Sequence, residues 1–149
     1  LQHAVKYLEE KENYKTDLIV LLQPTTPLIL ASDIDSAVKQ LIKTKTNSCV
    51  SICEISERPE WMYIFKGNKI KQFLNANEKT GRRQDLIPLF RLNGGIYVIT
   101  KNNLMKNNKI IDKSNSSAII MSMERSVDIN EPVDFPVIEA IIKQIKFNS

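Results

Sequence analysis

Asp17-Leu-Ile-Val-Leu-Leu-Gln23, closed by Pro24-Thr-Thr-Pro27, is the stretch that sets the fold class. Its apolar residues run from Leu18 to Leu22 without alternation, the pattern of a strand covered on both faces in a parallel α/β sheet. Ligands of open α/β sheets gather outside the carboxyl ends of strands, so Gln23, Thr25 and Thr26 are expected at the crevice. Downstream, Ser32-Asp-Ile-Asp35 has the spacing of a capping box, and Ile34, Ala37, Val38, Leu41 and Ile42 follow at helical intervals. Asn47 to Ile55 then reads as a second buried strand, completing a β-α-β unit with a right-handed crossover. Upstream, residues 1 to 12 read as a helix with Ala4, Val5 and Leu8 inward.

Beyond residue 55 the period changes. Trp61 to Phe65 and Lys69 to Phe73 flank Gly67-Asn68 and predict a hairpin. Residues 75 to 90 are polar, lack periodicity and read as a long functional loop. Asn93-Gly-Gly-Ile-Tyr-Val-Ile99 is a strand entered through two glycines, where backbone approaches something closely. Leu104 to Asn115 reads as a short helix plus loop, and Ser117 to Met123 as a last buried strand. After Pro132 a helix is expected, with Phe135, Ile138, Ile141, Ile142 and Ile145 on its apolar face.

A chain of 149 residues, 42% hydrophobic and 26% charged, is enough for one soluble domain with a core. No run approaches the roughly 20 apolar residues needed to cross a bilayer, and no signal peptide is visible. Cys49 and Cys53 fall in one expected strand, which leaves no disulfide framework and no four-ligand zinc site. A reducing cytoplasm is the expected compartment. His3 is the single histidine, which excludes histidine triads and multi-histidine metal sites. Catalysis would rest on carboxylates, arginines, amides or a metal. The net charge of +4 comes from scattered lysines, whereas Arg82, Arg83 and Arg91 cluster, as a bidentate anion site requires.

Four phrases resemble, in order, the acylneuraminate cytidylyltransferases, also called CMP-sialic acid synthetases. They are Leu21-Leu-Gln-Pro-Thr-Thr-Pro-Leu28, Arg82-Arg-Gln-Asp-Leu86, Arg91-Leu-Asn-Gly-Gly-Ile-Tyr97, and Ser126-Val-Asp-Ile-Asn130 with Asp134-Phe135. The resemblance runs from about Asp17 to the last residue. It implies a GT-A-like, Rossmann-like nucleotide-diphospho-sugar transferase fold, a mostly parallel sheet flanked by helices with a small protruding hairpin lobe. One cytidylyltransferase domain over residues 1–149 is expected, carrying a dimerisation hairpin at about residues 57–85. The family's opening strand and its glycine-, serine- and lysine-rich nucleotide loop have no counterpart in these residues, which implies an N-terminally truncated domain.

The implied activity is transfer of CMP from CTP to a nonulosonic acid, a nine-carbon sugar acid of the sialic, legionaminic or pseudaminic kind. Pyrophosphate is released, and the product feeds surface glycans such as lipopolysaccharide or capsule. Residue by residue, Gln23 matches the glutamine on the sugar acid, with Thr25 and Thr26 beside it. Arg83 and Arg91 match arginines that neutralise triphosphate or clamp a carboxylate; Asn93, matching the asparagine before the glycine pair, and Tyr97, matching the tyrosine of the next strand, are further substrate-binding residues that the resemblance implies. Asp128 matches the first carboxylate of a magnesium-binding Asp-x-Asp pair. Asn130 stands at the second position, an amide that still offers an oxygen but no charge. Ile29 stands where relatives usually carry arginine.

The resemblance further implies a homodimer, with Trp61, Tyr63, Phe65 and Phe73 suited to the interface. Neither nucleic acid nor membrane is expected as a partner. Alternatives are another sugar cytidylyltransferase such as the ketodeoxyoctonate type, a non-catalytic sugar-binding or dimerising remnant, or a basic nucleic-acid-binding domain, for which no motif is present.

Overall fold

A computed structural model describes residues 1–74 and 87–147. The chain divides into two compact units, residues 1–53 with 92–149, and residues 54–91. The expected site residue Arg83, its neighbour Arg82 and most of the expected polar loop lie outside the described residues.

The larger unit is a four-stranded sheet in the order β1-β5-β2-β6, built from β1 (Leu18–Leu22), β2 (Ser48–Glu54), β5 (Phe90–Thr100) and β6 (Ser116–Ile120). β1 pairs antiparallel with β5, Leu18 opposite Thr100 and Leu22 opposite Ile96. β5 also runs opposite to β2, since Thr100 N–H reaches Asn47 O at 3.0 Å while Ile96 N–H reaches Ser51 Oγ at 2.8 Å. β2 and β6 are parallel, with Ser48 opposite Ser116. The sheet is therefore mixed and mostly antiparallel in its pairings, which corrects the expectation of a mostly parallel one. β1 and β2 do point the same way across helix α2 (Ala31–Thr44), but β5 inserts between them. An unbroken apolar run encodes burial and not the direction of its neighbour.

Helices α1 (Gln2–Lys11), α3 (Lys101–Asn107) and α4 (Asp134–Phe147) complete the unit. One apolar cluster joins Ala37 and Leu41 of α2 to Cys49, Ile96, Val98 and Met121, with Leu18 and Ile119 packed against it. A second joins Val5 of α1 to Ile99 and Leu104, with Ile19 and Tyr97 against it. Leu18 and Ile19 thus enter different cores, as strand alternation requires.

Several sequence expectations shift. β1 and β6 are edge strands among the described residues, with Val20, Leu22 and Ile120 exposed. The cap of α2 forms three residues before Asp33 instead of at Ser32: Leu30 N–H donates to Asp33 Oδ2 at 2.9 Å, and Asp33 N–H returns to Leu30 O at 3.0 Å. α3 begins at Lys101 because the Thr100 hydroxyl accepts Asn103 N–H. On α4, Ile138 is buried, whereas Phe135 and Ile145 are exposed. No helix of the described residues is long and apolar enough to cross a membrane.

In the smaller unit, β3 (Tyr63–Lys66) and β4 (Lys69–Gln72) form the expected hairpin, Lys66 opposite Lys69. Gly67 takes φ +56° in the turn, open to a residue without Cβ strain. Arg58 is buried and donates to Ile87 O at 2.7 Å, and Gln72 Nε2 donates to Glu60 O at 2.9 Å. Tyr63, Phe65, Ile70 and Phe73 are exposed.

Candidate functional site

Three of the resembling phrases converge at the carboxyl end of β1. Gln23 leaves the strand with its N–H on Gly95 O, and Thr26 closes a turn over it, its N–H at 3.2 Å and its hydroxyl at 3.0 Å from Gln23 O. Thr26 is buried, so its hydroxyl serves the turn, while Gln23 is exposed. Gly94 adopts φ +77°, and a Cβ there would stand 2.9 Å from Gln23 Oε1. The first glycine of the pair thus lets the Gln23 amide lie against β5.

The Ser126–Asn130 phrase joins this edge from the far end of the sequence. Ile129 N–H donates to Thr25 O at 2.8 Å. Asn93 makes the second tie: it is 2% exposed, and its Nδ2 donates to Ser126 Oγ at 2.8 Å. Its Oδ1 accepts the Ser51 hydroxyl at 2.6 Å and Gly95 N–H at 3.2 Å. Asn93 is therefore an internal strut linking β2, β5 and the 3-10 turn Glu124–Ser126, its amide occupied within the fold. Of the partners that make it one, Ser51 carries no signal in the sequence beyond being polar between Val50 and Ile52, whereas Ser126 opens the last of the resembling phrases.

Asp128 and Asn130 lie in the extended segment after that turn, not on a strand. Their side chains still meet, Asn130 Nδ2 donating to Asp128 Oδ2 at 3.2 Å. Asp128 Oδ1 is buried and has no hydrogen-bond partner among the described residues. A buried carboxylate oxygen without a donor is costly unless something positive faces it, and a cation answers that need. Among the described residues no three His, Cys, Asp or Glu side chains gather at one point, so an ion here would draw other oxygens from water and phosphate, as magnesium does. Asp134, the first residue of α4, accepts the N–H groups of Glu131 and Asn130, both at 2.8 Å, which holds its carboxyl below the ordinary range against burial.

Next to the segment, Arg125 forms a two-pronged pair with Asp33, one contact at 3.1 Å between Arg125 Nη2 and Asp33 Oδ1 and the other between Nη1 and Oδ2. Burial raises the Asp33 carboxyl, and the Arg125 and Leu30 hydrogen bonds outweigh it, so the group stays low. Arg125 is thus committed to the fold. Tyr97 is half-buried against Val5, Ile99 and Leu104. Arg91 is exposed and belongs to the smaller unit.

No protein-family model matches the chain. It is 29% identical over 129 residues to the CMP-N,N'-diacetyllegionaminic acid synthase of Legionella pneumophila, covering 85% of this chain and 54% of that protein. It is 22% identical over 145 residues to the post-translational flagellin modification protein B of Campylobacter coli, covering 97% and 60%. An N-acylneuraminate cytidylyltransferase of Streptococcus agalactiae is 29% identical over 116 residues, covering 78% of this chain and 28% of its own length. The chain spans little more than half the length of the first two of these relatives. Taken with the four ordered phrases, these matches make the chain similar over most of its length to a CMP-N,N'-diacetyllegionaminic acid synthase and to N-acylneuraminate cytidylyltransferases.

Proposed function

We propose that this chain belongs to an enzyme that transfers CMP from CTP to a nonulosonic acid of the legionaminic or sialic type, within a GT-A-like domain. The observation that carries the reading is the convergence of Gln23, Gly94 and the Asp128 segment at one strand end, through the Ile129-to-Thr25 hydrogen bond. The names of the relatives supply the substrate class. In this reading the sugar-acid hydroxyl attacks the α-phosphate in line and pyrophosphate leaves, a reaction governed by positioning and charge.

The exposed Gln23 amide reads sugar hydroxyls with both a donor and an acceptor and without added charge. Thr25 and Thr26 shape the turn beneath it, Asn93 keeps the edge in register, and Tyr97 backs the strand. Arg83 and Arg91 neutralise phosphate or carboxylate charge by guanidinium forks. Asp128 would hold magnesium through its unpartnered Oδ1, and Asn130, once its amide turns over, would add a neutral oxygen. When bound, the ion neutralises charge on the phosphates. Exposed Tyr63, Phe65 and Phe73 support a homodimeric state.

Pyrophosphate release, measured on the full-length protein with CTP, magnesium and a panel of legionaminic, sialic and pseudaminic acids, tests this. Turnover that depends on one of these acids, and falls at least about a hundredfold in Asp128→Ala, is expected. Folded protein that binds no sugar acid and releases no pyrophosphate would sink the reading.

A further inference from the structure

Asp134 faces backwards. An acidic residue at a helix start ordinarily accepts N–H groups of its own first turn. Here Asp134 Oδ2 instead accepts the N–H groups of Asn130, the last residue of the Asp128–Asn130 segment, and of Glu131 just after it. Asp134 N–H closes the same turn on Glu131 O at 3.0 Å. The preceding amide, Ile129 N–H, is bound to Thr25 O. Three consecutive amides are therefore fixed, one by the end of β1 and two by a single carboxylate oxygen at the head of α4.

The segment so held carries an exposed Asn130 and the buried, unpartnered Asp128 Oδ1. Left free, a loop of this kind would turn that oxygen to solvent or to a backbone N–H. With the amides of residues 129 to 131 engaged elsewhere, that relaxation is closed, and the carboxylate stays poised.

We propose that Asp134 is a positioning residue that clamps the Asp128–Asn130 segment in its cation-receiving shape without itself contacting the ion. The proposal rests on the reading of Asp128 as a cation ligand. It makes the clamp geometric, so an acceptor oxygen at position 134 matters and its charge does not.

The test compares the full-length wild type, D134A and D134N. Binding of Mn²⁺ alone is followed by the electron paramagnetic resonance signal of the free ion, alongside amide hydrogen exchange at residues 129 to 131 and the thermal midpoint. D134A should weaken Mn²⁺ binding about tenfold, the usual effect of losing a residue that orients a ligand. It should also speed exchange at Asn130 and Glu131, while D134N, which keeps one oxygen in place, stays near wild type in both. A D134A protein with a lowered thermal midpoint but unchanged Mn²⁺ affinity would make Asp134 a helix-start residue only. Equal loss in D134N and D134A would assign the effect to charge and overturn the clamp. Absence of Mn²⁺ binding in the wild type would remove the cation site itself and the proposal with it, an outcome separable from the variants because it appears before any substitution. Should D134A not fold, D134S takes its place with the same expectations, its single oxygen being too short to reach both amides.

Discussion

Gly94 carries more of the candidate site than any residue expected to touch a substrate. Its φ of +77° is one that L side chains rarely adopt, and the space where a Cβ would stand is filled by Gln23 Oε1. Gly94→Ala should therefore cost about 1–2 kcal/mol from backbone strain alone and displace the Gln23 amide. Urea unfolding measures the first effect. Sugar-acid affinity measures the second, and wild-type affinity in a destabilised G94A would detach Gln23 from recognition. Asn93 is the companion case. The sequence resemblance points to it as a substrate contact, yet its amide is spent on Ser51, Gly95 and Ser126. No sequence pattern distinguishes an asparagine that meets a ligand from one that holds the wall, because both need the same amide.

At the scale of elements, the head of α2 is fastened twice by one carboxylate. Asp33 accepts Leu30 N–H and pairs with Arg125 across the fold. Loss of both in Asp33→Ala should destabilise by about 2 kcal/mol, a helix cap plus a partly exposed ion pair. The double variant Asp33→Ala with Arg125→Met should recover part of that, since it removes a guanidinium left without its partner. Chemical denaturation of the wild type, both single variants and the double variant decides it, and strict additivity would mean the pair contributes nothing. Helices and strands were legible here from periodicity: α2, β2, β5 and the hairpin all form where apolar spacing and turn residues place them. Exact starts were not, because a cap depends on which side chain reaches back, and Asp33 reaches Leu30 where the spacing had favoured Ser32 and Asp35.

Across the whole molecule, the end of the sheet opposite the candidate site is held by a polar network around Asp112. Its carboxylate accepts the Ser114 hydroxyl at 2.6 Å and Asn47 Nδ2 at 2.8 Å, while Ser48 Oγ accepts Asp112 N–H. These donors, Ser114 first and then Asn47, bring its pKa down to about 2 from 3.8. A carboxylate lowered on folding contributes stability that is full above its unfolded pKa and is lost as pH falls through the folded one. The urea midpoint should thus hold steady above about pH 4 and drop toward pH 2. Asp112→Asn should be less stable at neutral pH with a shallower acid limb, and an unchanged slope would place the acid sensitivity elsewhere, with Asp33, Asp134 and Glu9 as the other lowered carboxyls among the described residues.

The α/β class, the helix and strand sites and the family likeness are all legible along the chain, because local spacing of apolar, turn and motif residues carries that information. Strand order and direction came only from the tertiary structure, since β5 slips between β1 and β2 through contacts that no local pattern specifies. So did the division of labour at the candidate site. Thr25, Gly94 and Asn93 become its frame only when segments distant in the sequence are brought within reach of one another, as Thr25 and Ile129 are.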